Sequence, residues 1–330
     1  MSDVDKRLFG MGLLHPITPS ASGVLREKFL VPPFSVLNAR DGVWQDRKRR
    51  WLSLGLEGEI GRGVNPGGSP MPSANYSQDG SRGDGRGKAF QAAGREERLT
   101  KAYTTSIFDP VLCELMYRWF CPEGGQVVDP FAGGSVRGIV SHVMGRSYWG
   151  CDLRTEQIEA NEAQASLICP DNRPTWVVGD AVECLQRAPE ADFIFSCPPY
   201  GHLERYSDDP QDLSNMGLDE FRRAYTKIIQ LACERLKQDR FACFVVGDYR
   251  DSEGNYCNLP GGTIQVFRRA GLHLYNEAIL VTAISSLSMR AKGFFECSRK
   301  LGKGHQNILV FVKGNGRQAA EYIKSKETVT

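Results

Sequence analysis

Val127-Val128-Asp129-Pro130-Phe131-Ala132-Gly133-Gly134-Ser135 reads as a short apolar strand that ends on an acid, turns through two glycines and opens a helix. Paired glycines let the backbone turn tightly and let a ligand approach it without meeting a Cβ. A second strand, Tyr148-Trp149-Gly150-Cys151-Asp152, follows the helix and ends in another acid. In α/β folds that is where a ribose is held through its hydroxyls. The turn is Phe-Ala-Gly-Gly and not Gly-x-Gly-x-x-Gly, and no Lys-Ser/Thr pair opens the next helix. The pattern therefore implies a nucleoside-bearing ligand and argues against a polyphosphate.

Further along, Asp192-Phe193-Ile194-Phe195-Ser196-Cys197-Pro198-Pro199-Tyr200 is a hydrophobic strand that ends on a double proline and an aromatic. The pair of motifs, in this order and on strand ends, resembles the S-adenosylmethionine-dependent amino-methyltransferases, above all those acting on adenine N6 or cytosine N4 of DNA. The resemblance covers roughly residues 105 to 314.

Composition sets outer bounds. A chain of 330 residues with 41% hydrophobic residues can bury one sizeable core with an appendage, or two modest domains. A net charge of +2 leaves nucleic-acid affinity to local basic patches. None of the ten cysteines stands at the spacing of a zinc or redox pair, and most lie in apolar runs, so reduced thiols and a cytoplasmic location are expected. The five histidines are isolated, so no metal site is expected. Neither a leader pattern nor a run of eighteen apolar residues is present, which points away from export and from the membrane.

Four regions follow from the patterning. Residues 1–59 form an extension, irregular at first because Pro16, Pro19, Pro32 and Pro33 interrupt it, then a helix near 41–52 with Trp44 and Trp51 on one face. Its Arg47 and Arg50 are either solvated beside that face or contact phosphates. Residues 60–100 are glycine-rich and cannot bury enough surface to offset their ordering entropy; Arg86 and Lys88 make their end weakly basic. Residues 101–316 alternate: helix 109–120, strand 127–129, helix 134–145, strand 148–152, helix 155–167, strands 175–180 and 192–197, helix 219–236, strand 241–248, helix 262–270, strands 274–282 and 307–313. That order predicts an α/β fold with a doubly wound, Rossmann-like seven-stranded sheet and an antiparallel edge strand. The connection 283–305, with Arg290, Lys292, Arg299, Lys300 and Lys303 against Glu296, reads as a basic surface loop and a candidate nucleic-acid contact, as do Arg86 and Lys88, and 317–330 reads as a tail.

The resemblance implies roles. Asp129 and the turn Phe131-Ala132-Gly133-Gly134 would hold the methionine part of S-adenosylmethionine, which leaves as S-adenosylhomocysteine, with the acid facing the ammonium. Thr105, Ser106 and Phe108 would close over that end, and Asp152 would accept from both ribose hydroxyls. Asp180 would lie near the adenine amino group with Ala181 beside it, unless it serves as a helix cap. Cys197, the carbonyl of Pro198, Pro199 and Tyr200 would form the catalytic motif: two acceptors bond the amine hydrogens and free the nitrogen lone pair, and the aromatic stacks on a base turned out of the duplex.

Members of the family place Asp, Asn or Ser where this chain has Cys197, and a thiol is a weak acceptor. The cysteine could stand in for serine, which would lean toward cytosine N4, or Ser196 or a loop residue could compensate, or activity could be slow or redirected. A cysteine nucleophile fits poorly, because no activating group is identifiable. Glu204 and Tyr206 are candidates for reading the flipped base's edge.

The expected partner is therefore double-stranded DNA, methylated at a specific site, with or without a restriction enzyme; the oligomeric state is left open. An RNA methyltransferase on guanine N2, whose motif is similar, and a catalytically silent DNA-binding or partner subunit are the alternatives.

Overall fold

The computed structural model describes residues 29–56, 108–201, 207, 209–284 and 287–327. The order is β1 (Val36–Asn38), α1 (Gly42–Leu52), α2 (Pro110–Phe120), β2 (Gln126–Asp129), α3 (Val136–Val143), β3 (Ser147–Asp152), α4 (Thr155–Ile168), β4 (Thr175–Val178) and α5 (Ala181–Cys184). Then come β5 (Ala191–Ser196), α6 (Leu218–Arg235), β6 (Leu236–Val246), α7 (Leu259–Arg269), β7 (Leu272–Val281), α8 (Leu287–Ser298), β8 (His305–Lys313) and α9 (Gly316–Lys326).

The strands form one sheet in the order β1-β7-β8-β6-β5-β2-β3-β4. β2 pairs in parallel with β3 on one side and β5 on the other, so the winding reverses at this central strand. Such a reversal opens a crevice beyond the carboxyl ends of the strands. The sheet is the Rossmann-like, doubly wound one expected, with eight strands where seven were predicted. The antiparallel member is β8, which sits between β6 and β7, two places in from the margin.

Alternation along the strands feeds two cores. Val127, Phe193, Phe195, Phe241 and Cys243 face the layer that holds α2 and α3, while Val128, Ile194, Ala242, Phe244 and Val246 face α6 and α7. Local chemistry sets the helix starts. Asp109 caps α2 by accepting from Val111 N at 2.9 Å, with Pro110 in the first turn, where its missing N–H costs nothing. Asp41 does the same for α1 through Val43 N.

Three expectations need correcting. Ahead of its expected helix, α1, which packs on α2, the extension is not wholly irregular: β1 joins the sheet parallel to β7. The connection 283–305, read as a loop, contains α8. The tail contains α9, whose Ala319 and Ile323 are buried in the core, with the Arg240 guanidinium 3.4 Å from the Tyr322 ring centre. β6 also begins at Leu236, earlier than predicted, because Leu236 pairs with Ala191 before the ladder shifts register. The glycine-rich 60–100, with Arg86 and Lys88, lies outside the described residues, as do Thr105, Ser106, Glu204 and Tyr206.

Among the described residues no helix is long and apolar enough to cross a membrane, and no group of three or more metal-ligating side chains clusters. All ten cysteines are free thiols.

Candidate active site

A cavity of about 660 Å³ lies at the carboxyl ends of the parallel strands, within the usual size for a small-ligand or cofactor site. Phe131, Gly133 and Gly134 form its floor beside β2, and Asp152 marks the end of β3. Asp180 and Ala181 follow β4, and Cys197, Pro198, Pro199 and Tyr200 follow β5. The chain thus brings both sequence motifs into one chamber. Phe108 is also on the wall, edge-on to Phe195 at 5.8 Å.

The turn is held from behind. Gly133 adopts φ +50°, a backbone state that costs glycine little, and its N–H donates to Asp152 Oδ2 at 3.0 Å. Asp152 Oδ1 accepts from Arg154 N at 3.0 Å. These two bonds orient Asp152 on the cavity wall, with Arg154 Nε 3.9 Å from its Oδ1. Asp180 is a helix cap, its Oδ1 accepting from Val182 N at 2.7 Å at the start of α5, and the residue also lines the cavity.

Asp129 does not do what the sequence suggested. It is fully buried, off the cavity wall, and its carboxylate accepts from Arg137 Nε at 2.6 Å, Tyr148 Oη at 2.7 Å, Ser196 Oγ at 2.5 Å and Phe131 N at 3.1 Å. It is spent on the scaffold and has no capacity left to meet an ammonium. Ala132 is likewise buried behind the turn.

What reaches the wall is Arg137, which sequence reasoning missed because nothing before folding singles out one arginine of a helix's first turn. Its Nη2 donates to the carbonyls of Phe131 and Ala132 at 2.6 and 2.8 Å, and its guanidinium lies 4.6 Å from the Phe108 ring centre. Burial works against its charge, and the adjoining Asp129 outweighs burial and keeps it protonated. None of the hydrogen bonds among the described residues uses Nη1. A fixed guanidinium beside a glycine turn can receive a carboxylate.

At the other end, Cys197 Sγ is 3.4 Å from the Tyr200 hydroxyl, to which Gln306 Nε2 donates at 2.9 Å. Gly247 lets the Tyr200 ring lie against β6: a Cβ there would stand 2.9 Å from Tyr200 Cε2. Asp248, Lys303, His305 and Gln306 complete this end. Asp248 follows β6, Lys303 precedes β8, and His305 and Gln306 open β8; no motif announces them. Gln45 and Lys48 of α1 also reach the wall, with Lys48 Nζ and Trp44 Nε1 both 3.2 Å from Asp109 Oδ2.

The basic candidates fare differently. Arg47 is not a phosphate ligand in this structure. It is 1% exposed and donates from Nε to Glu114 Oε2 at 2.6 Å and from Nη2 to Glu114 Oε1. Arg50 is half-buried on the same helix. Lys292 sits 3.9 Å from Glu296, the Arg299 guanidinium lies 5.1 Å from the Phe295 ring centre, and Lys300 lies across Gly254. Arg290 falls on α8, and its side chain is outside the described part.

The sequence matches no protein-family model, and no curated protein is similar to it. Solved structures with a related strand layout include TrmN from Thermus thermophilus, at 18% identity and TM-score 0.43, covering 66% of this chain and 52% of that one. The match thus spans about half of the Thermus protein. Others are magnesium protoporphyrin IX methyltransferase (ChlM) from Synechocystis with bound SAM, at 11% identity, TM-score 0.41 and coverage of 66% and 90%. A TehB-like SAM-dependent methyltransferase from Corynebacterium glutamicum matches at 18% identity, TM-score 0.40 and coverage of 66% and 94%. Likeness this low leaves the chemistry to be read from the site itself.

Proposed function

We propose that this protein is an S-adenosylmethionine-dependent amino-methyltransferase whose acceptor is an exocyclic amine of double-stranded DNA, adenine N6 or cytosine N4. The observation that carries the reading is the single cavity that joins the glycine turn, Asp152 and Asp180 to Cys197-Pro198-Pro199-Tyr200. Methyl transfer needs a nucleoside-bearing donor and an amine acceptor in one chamber, and those two residue sets suit these two parts.

The residues fit the donor. Arg137 offers a cation for its carboxylate, Asp152 acceptors for its ribose, and Asp180 an acceptor near the adenine position. The bound donor supplies a methyl group activated on a sulfonium sulfur. The protein's part is positional. The carbonyl of Pro198, on a residue without an N–H, accepts from one amine hydrogen; Cys197 stands where a second acceptor is needed. Tyr200, fixed by Gln306 and Gly247, offers a π-face to the base. No general base is required, because the proton can leave to water after transfer.

The test is incubation of purified protein with labelled S-adenosylmethionine and, separately, unmodified duplex DNA and total RNA, followed by nucleoside analysis by mass spectrometry. Labelled N6-methyladenine or N4-methylcytosine from DNA is the expected result. Label confined to RNA guanine would replace this reading with an RNA methyltransferase. Donor binding without transfer to either would favour a silent partner subunit.

A further inference from the structure

Lys303 and His305 stand together where β8 begins, with Lys303 Nζ 3.2 Å from His305 Nε2. Both line the cavity that holds Cys197 and Tyr200, and the bond from the adjacent Gln306 to Tyr200 ties this strand end to the acceptor motif. Lys303 is half-buried, yet its described contacts are His305 and the face of Tyr256, whose ring centre is 5.8 Å away. Asp248 attracts it from a distance, while Asp248 Oδ1 is engaged by Tyr249 N at 3.0 Å and Leu259 N at 3.1 Å. Burial weakens the hold of Lys303 on its proton, and burial together with Lys303 does the same to His305. An ammonium and an imidazole side by side, drawn out of water with no carboxylate in contact among the described residues, form a place where an anion would relieve both costs.

The position says which anion. Arg137 serves the turn after β2, whereas β8 is separated from β2 by β5 and β6. Three strand spacings amount to roughly 14 Å. A donor carboxylate held at the turn therefore leaves the β8 end for the acceptor. We propose that Lys303 and His305 form a phosphate subsite that holds the nucleotide carrying the target amine. This rests on the nucleobase reading of the same cavity and adds that the enzyme grips the target through its own phosphate.

The experiment follows the His305 imidazole of the full-length protein by NMR, the signal identified by its loss in His305→Gln. The probes are inorganic phosphate, the 5′-monophosphates of deoxyadenosine and deoxycytidine, and the two nucleosides. A monophosphate should raise the pH at which His305 titrates, a nucleoside should not, and Lys303→Gln should weaken the monophosphate response about tenfold while Lys303→Arg retains it. In duplex binding, Lys303→Gln should lower the slope of log affinity against log salt by roughly 0.7 to 0.9. S-adenosylhomocysteine affinity, read by calorimetry, should stay unchanged.

Equal responses to nucleoside and monophosphate, or an intact response in Lys303→Gln, would overturn the subsite. A response to inorganic phosphate alone would overturn the nucleotide assignment, and a loss of S-adenosylhomocysteine affinity would give the anion to the donor. A phosphate response that persists where DNA and RNA both fail to accept methyl would sink the methyltransferase reading and leave the nucleotide subsite standing.

Discussion

The guanidinium of Arg137 closes on the carboxylate of Asp129, Nε to Oδ2 at 2.6 Å, with 5% and 0% of the two side chains exposed. The acid that opens the first motif is thereby a support for the glycine turn, and the arginine it holds is the group that lines the cavity. Asp129→Asn leaves Arg137 buried without its counter-charge and should cost about 3–5 kcal/mol of stability, read as a lower urea midpoint. Unchanged stability together with lost donor affinity would instead return Asp129 to the role of ligand.

Arg47 makes a parallel case on α1. Glu114 accepts from Arg47, from Trp51 Nε1 at 2.9 Å and from Arg118 Nε at 3.1 Å. Arg47→Met should destabilise the protein by about 3 kcal/mol through the loss of one buried charge, with no change in the salt dependence of DNA binding. A stable variant with a shallower salt slope would restore Arg47 to the phosphate contacts.

Gly247 is a test of Tyr200. Gly247→Ala forces the ring away from β6, since the new Cβ would sit 2.9 Å from Cε2. Misplacement of a positioning group by about 1 Å can cost up to a hundredfold in turnover. The expectation is a large loss in kcat with donor affinity retained; a fall in donor affinity alone would place Tyr200 outside the acceptor site.

Cys197 can be separated from its prolines. Cys197→Ser restores a hydroxyl acceptor and should keep or raise turnover, while Cys197→Ala should lower it by about tenfold, less than the loss of a strong oxyanion-type donor. Equal turnover in both variants would show that the Pro198 carbonyl suffices.

Cys184 provides a pH signature next to the donor end. A hydrogen bond with Cys151 lowers its thiol from the ordinary value to about 7, while that same contact and burial push Cys151 up. Alkylation by iodoacetamide should therefore rise through about pH 7 at Cys184 and leave Cys151 inert. Because the folded value lies below the unfolded one, this contact adds stability fully above the unfolded thiol value, and that stability is lost as pH falls through about 7. A rise only above pH 8 in mass-spectrometric labelling would contradict the contact.

The sequence by itself determined the Rossmann-like class, most of the alternating elements between α2 and β8, and the two strand ends that meet at the cavity. Alternating apolar residues, a glycine turn and a double proline are local signals, and local backbone preferences plus burial decide them. It also singled out Phe131, Gly133, Gly134, Asp152, Asp180 and Cys197 to Tyr200, which line one cavity. Tertiary structure alone decided how the charges are distributed. Asp129 and Arg137 are eight residues apart, and only packing against Tyr148 and Ser196 shows that the acid turns inward and the arginine outward. Arg47 is buried because Glu114, sixty-seven residues away, supplies its counter-charge, a pairing that no amphipathic pattern reveals. β1, α8 and α9 escaped because they are short, polar or glycine-interrupted, and β1 and α9 are stabilised by what they dock on. Lys303, His305 and Gln306 reach the Cys197–Tyr200 end of the cavity because β8 runs antiparallel and brings its first residues to the rim where the parallel strands end.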